Sequence, residues 1–166
     1  MDLRDTILEE HSKAQTARIV KWIGNNQSRF DELFKIFLND EYRVVQRAAW
    51  PLSECVVDHP ALINKHFTKL LQNLRKPGHH DAVKRNTVRL LQFVTIPKKF
   101  HGDLMDLCFT YIADPKEKVG VKAFALTVLG NLCDAYPEIR NEIKLLIEDR
   151  WEHETAAFRV RARQFM

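Results

Sequence analysis

The residues with the most evident chemical potential stand together at His79-His80-Asp81. Two imidazoles and a carboxylate are the donor set of a transition-metal site. The spacing argues against that use, because adjacent histidines diverge on a helix, whereas a helical ligand pair needs i, i+4. The cluster follows Pro77-Gly78, where polar side chains cap the start of a new helix, and capping is the role expected of it. The other histidines, His11, His59, His66, His101 and His153, are dispersed along the chain. Glu9-Glu10 and Glu148-Asp149 pair carboxylates on polar helix faces, where solvation is their expected role. No phosphate-binding glycine loop, nucleophile elbow or HExxH is present. Cys55, Cys108 and Cys133 have no CxxC spacing and lie in apolar surroundings, as reduced core thiols of a cytoplasmic protein do. The expectation is a protein with no catalytic residue, no metal and no cofactor, and not an enzyme.

The elements that position these residues recur. "VQRAAWPLSECV" (45–56), "VKRNTVRLLQFV" (83–94) and "VKAFALTVLGNL" (121–132) share one skeleton. Aligned on Val45, Val83, Val121 and Val160, the spacings are 38, 38 and 39. Offsets 0, 4, 8 and 11 trace one helical face, and offset 4 is mostly small: Ala49, Thr87, Ala125 and then Gln164. Between these segments lie second amphipathic patterns, such as "RFDELFKIFL" (29–38) and "ALINKHFTKLLQNL" (61–74). Ser28 with Asp31 suggests a capping box, and Asp114-Pro115 suggests a cap followed by a first-turn proline. Pro60, Pro97 and Pro137 mark helix starts, and Gly24 and Gly78 mark ends. Pro51 falls inside a helix, where it cannot donate to the carbonyl of Arg47 and should bend or open it locally. No stretch alternates with period two, so the fold is expected to be all-α.

Each unit is a helical hairpin of about 38 residues that cannot bury its apolar face alone. Four such units follow an opening segment, about 3–23, that reads as the degenerate second helix of a shortened first repeat. The pattern V-[KR]-x-x-A-x-x-x-L-x-x-L, best seen in Val121, Lys122, Ala125, Leu129 and Leu132, resembles the second helix of HEAT and armadillo-type repeats. The resemblance covers nearly the whole chain. It implies a single domain over 1–166, a right-handed α-solenoid of about nine helices whose second helices line a concave surface. It says little of function, because such solenoids serve many roles.

Charge supplies the functional lead. The chain carries a formal net charge of +4, yet its second-helix segments hold most of the positive excess. With the family's geometry, that implies a basic concave face. Lys84, Lys122 and Arg161 follow the aligned valines and have two readings: groove cations, or ion pairs to Asp40, Asp81 and Asp114 between repeats. Arg47, Arg85 and Arg89 lie away from the apolar stripe and are expected to be free for a carboxylate or phosphate. Trp50, beside Pro51, has the core as its default but is the candidate groove aromatic; Trp22 and Trp151 are expected in the core or between repeats.

The leading expectation is a binding scaffold for an acidic protein or peptide. The alternative is nucleic-acid binding. The HEAT-like DNA alkylation-repair proteins are similar in architecture and hold the duplex backbone in a basic concave face. Their groove acid and aromatics have no residue-by-residue match here, and +4 is low for a dedicated duplex binder. A third reading is a homo-oligomer, with a second copy covering the helix that ends at Phe165-Met166. The apolar runs are too short to span a membrane, and "MDLRDTILEE" lacks a secretory profile, which points to the cytoplasm.

Overall fold

The computed structural model describes residues 1–166, and every regular element in it is helical. Ten α-helices follow in order: α1 (Leu3–Glu9), α2 (Lys13–Ile23), α3 (Gln27–Asn39), α4 (Tyr42–Asp58), α5 (Phe67–Leu74), α6 (Asp81–Leu91), α7 (His101–Ala113), α8 (Val119–Leu132), α9 (Ile139–Arg150) and α10 (Ala156–Ala162). Short 3-10 turns occupy Pro60–His66, Lys98–Phe100, Trp151–His153 and Arg163–Phe165. Neighbouring helices pack as α1–α2, α3–α4, α5–α6 and α7–α8. The opening segment is therefore two helices, each with its own cap: Asp2 accepts from the Asp5 N–H, and Ser12 from the Gln15 N–H. Buried Gln15 ties the two together by donating Nε2–H to the Thr6 carbonyl at 2.6 Å.

Apolar spacing explains which face of each helix is buried. In α3, Phe30, Leu33, Phe34 and Phe37 fall on one stripe, and none is more than 2% exposed. That helix starts at Gln27 with Asn26 as its cap, so Ser28 already lies inside the first turn and the expected capping box does not form. Gly24 ends α2 with φ of +50°, a conformation that glycine adopts without the usual Cβ penalty. Asp114 ends α7, and its Oδ1 accepts from the Lys116 N–H to close a turn; α8 begins only at Val119. The Asp-Pro pair is thus a turn between helices rather than a helix cap. Pro51 sits inside α4, which runs on through Asp58.

The last repeat has a different register from the one expected. Val45, Val83 and Val121 are buried, but Val160 is 62% exposed. The buried residues of α10 are Phe158 and Ala162. The equivalent of Val121 is Phe158, 37 residues on, and offset 4 becomes Ala162 instead of Gln164. Ala49, Thr87, Ala125 and Ala162 are then all at most 1% exposed, as a close helix contact requires.

The chain divides into two compact units, Met1–Val94 and Thr95–Met166. In the first, α4 is the hub, packed against α1, α2, α3 and α6. Its second helices α2, α4 and α6 lie side by side. In the second unit, α8 packs on α7 and α10, while α9 packs on α7.

Candidate interaction site around Trp50

The apolar stripe of α4 (Val44, Val45, Ala48, Ala49, Leu52, Cys55, Val56) faces the core of the first unit. Trp50 lies at the edge of that stripe and is half-buried. Its indole Nε1–H donates to Glu54 Oε1, one turn on, at 3.2 Å. The same oxygen lies 3.1 Å from Arg89 Nη1 of α6. Arg89 also donates to Ser53 Oγ at 2.9 Å, and buried Ser53 lies 3.0 Å from Asn86 Oδ1. A chain of polar contacts therefore joins α4 to α6 beside the indole.

Trp50 stands between two open clefts, both within the first unit. A cleft of about 500 Å³ lies between α2 and α4, walled by Ala17, Val20, Trp50 and Glu54, with Lys13 and Lys21 at its edge. A second, of about 410 Å³, lies between α4 and α6 and is bordered by His11, Gln46, Trp50, Glu54, Arg85 and Arg89. His11 meets the indole edge-on, with ring centroids 6.3 Å apart. Partial desolvation lowers the His11 pKa from the ordinary imidazole value, and the positive charges of Arg47 and His80 lower it further. Glu54 is the only carboxylate bordering the α4–α6 cleft.

Burial pushes the Cys55 and Cys108 thiols up to about 12, so neither supplies a thiolate near neutral pH. His80 serves as the N-cap of α6, its Nδ1 accepting from the Ala82 N–H at 3.0 Å. No helix is long and apolar enough to cross a membrane.

A family profile described as HEAT repeat domain matches residues 3–165. The chain belongs to the HEAT-repeat family. HEAT repeats commonly serve as protein-interaction scaffolds. Neither a curated protein nor a solved structure is significantly similar to this HEAT-repeat chain.

The six cations singled out from the sequence have different surroundings in this HEAT-repeat protein. Arg85 is exposed on the α4–α6 cleft, and Arg89 lies beside it, paired to Glu54. Arg47 is half-buried and donates to the Leu8 carbonyl at 2.8 Å, tying α4 to α1. Lys84 borders a smaller recess at the His79-His80 turn. Lys122 is 1% exposed, and its Nζ donates to Glu154 Oε1 at 2.5 Å. Arg161 reaches across to α8, donating to Thr127 Oγ1 at 3.0 Å, with its guanidinium 5.2 Å from the Phe124 ring centre. Of the ion pairs considered between repeats, Asp40 instead takes Arg4 at 2.9 Å, and Lys122 finds Glu154 instead of an aspartate.

Trp22 and Trp151 are half-buried, each beneath an arginine: Arg29 at 4.5 Å and Arg159 at 5.5 Å from the ring centre. Gln46, Glu54 and Asn86 were not candidates in the sequence analysis, and His11 stood there only among the dispersed histidines. The one advance signal was the i, i+4 spacing of Trp50 and Glu54, which puts them on one face.

Proposed function

We propose that this HEAT-repeat protein is a non-catalytic interaction module that takes an acidic segment of a partner protein on the face formed by α2, α4 and α6. One observation carries the reading. Arg85 is exposed with no hydrogen bond or ion pair, and it opens onto the same cleft as Trp50 and Arg89. Arg presents a planar fork suited to a carboxylate, and half-exposed Trp and Arg are the residue types that dominate interface energetics. Phosphate-backbone binding is the weaker reading, because a duplex needs a row of available cations. Lys122 is buried on Glu154, and Arg47 is turned to a backbone carbonyl.

The test is a calorimetric titration with poly-L-glutamate, a short DNA duplex and single-stranded RNA, each at two salt concentrations. Binding of poly-L-glutamate that is lost in Arg85→Glu, with melting temperature unchanged, supports the reading. Duplex binding whose log K falls with log salt by about 0.9 per phosphate contacted would overturn it in favour of nucleic acid. Failure of all three ligands, and of acidic peptides that also carry apolar residues, would also overturn it.

A further inference from the structure

The α4–α6 cleft already holds a carboxylate. Glu54 Oε1 receives both the Trp50 indole N–H and Arg89, which is the arrangement an incoming acid would make. The Glu54 and Arg89 side chains are 31% and 27% exposed, and half-exposed pairs of this kind hold weakly and are displaceable. Arg85, one turn before Arg89 on α6, adds a second guanidinium to the same cleft, and no second internal acid balances it. Across the indole, the α2–α4 cleft differs in character. Its wall of Ala17, Val20 and Trp50 is apolar, and its charges are mixed, with Lys13 and Lys21 against Glu54 and Asp58. One cleft is thus short of negative charge and the other offers apolar surface, with a single aromatic ring as the wall between them.

We infer that the partner's recognition element is a short segment bearing one acidic and one apolar side chain. The carboxylate docks on Arg85 and Arg89 in place of Glu54, and the apolar side chain seats against Trp50, Ala17 and Val20. Glu54 is then a built-in competitor that occupies the site until a partner displaces it. This rests on the interaction reading above, and it adds the composition of the ligand and the role of Glu54.

The experiment pans the intact protein against a random heptapeptide library displayed on phage, then measures a synthetic copy of the most enriched peptide by calorimetry. The expected result is enrichment of sequences that combine Asp or Glu with a large apolar residue. Glu54→Gln should bind that peptide roughly two- to fivefold more tightly, as removal of a weak internal ion pair implies. Ala17→Glu, an exposed position, should abolish binding with the helical signal and melting temperature retained. Acidic sequences without an apolar preference, or normal binding by Ala17→Glu, would overturn the two-cleft inference and leave the interaction reading standing. Unchanged or weaker binding by Glu54→Gln would overturn the competitor role. Enrichment of basic sequences, or of none, would overturn both readings together.

Discussion

Asp31 shows how one residue can fasten two elements. It lies on α3, 2.5 Å from Lys65 Nζ and 2.7 Å from His66 Nε2 in the 3-10 turn at Pro60–His66. Gln27 donates to it as well, and also to the Leu62 carbonyl. Burial works to raise the Asp31 pKa, but the hydrogen bonds from Lys65, Gln27 and His66 together outweigh it and hold the carboxyl at about 2. A folded-state value below the unfolded one of about 3.9 contributes stability that is complete above that value. The contribution is lost as pH falls through about 2. Thermal melts of Asp31→Asn should therefore lie below wild type near neutrality, with the gap closing from about pH 4 downward and vanishing only below about pH 2. A gap independent of pH would mean the carboxylate charge is not what matters. At this scale the sequence was a partial guide. His80 as a cap could be read from its place after Pro77-Gly78, because capping depends on near neighbours. Whether Arg89 or Lys122 is paired could not, since Glu54 and Glu154 lie more than thirty residues from them.

Helices in this protein are cross-linked at about the repeat interval. Arg4 to Asp40, Arg47 to Leu8 and Arg89 to Ser53 span 36, 39 and 36 residues. The deepest such link is in the second unit, where Glu154 receives Lys122 of α8 and Arg150 of α9 on one oxygen. The two partners of Glu154 make the mutational response asymmetric. Glu154→Gln leaves the Lys122 ammonium buried without a counter-charge and should destabilise by about 3–5 kcal/mol. Lys122→Met keeps Arg150 on Glu154 and fills similar volume, so it should cost far less, about 1 kcal/mol or under. Urea denaturation of the two variants checks the order; equal losses would contradict it. The helical period and most helix positions were legible because apolar spacing is a local property. The register of α10 was not. Phe158 and Val160 are both apolar and two residues apart on a short helix, so which faces the core depends on the length of the preceding turn. The split of residues 3–23 into two helices was also missed, although Ser12 is a ready N-cap.

At the scale of the whole molecule, repeat architecture makes stability a sum of local terms, each repeat leaning on its neighbours. The unit Met1–Val94 has its own core, built on Phe30, Phe37, Leu52, Phe67 and Leu91. It also contains every residue of the Trp50 site. Residues 1–94 expressed alone should remain helical, melt cooperatively and keep the binding of an acidic peptide. Circular dichroism and calorimetry on that fragment decide the matter, and a non-cooperative melt would show that this core is insufficient. The repeat interval was the most legible feature of the chain, since self-similarity needs no knowledge of contacts. The site was not, because a cleft arises where two helices from different repeats meet.

The edge-on contact between His11 and Trp50 also has an optical consequence. A protonated imidazole quenches indole emission, whereas the guanidinium groups over Trp22 and Trp151 keep their charge throughout the accessible pH range. The protein should therefore dim on acidification through one tryptophan out of three. Since His11 gives up its proton more readily than an ordinary histidine, the dimming should centre below about pH 6.5. It should be absent in His11→Gln. Emission from Trp50 thus carries its own proton-dependent background, and on acidification a brightness change reports the state of His11 as well as whatever occupies the clefts.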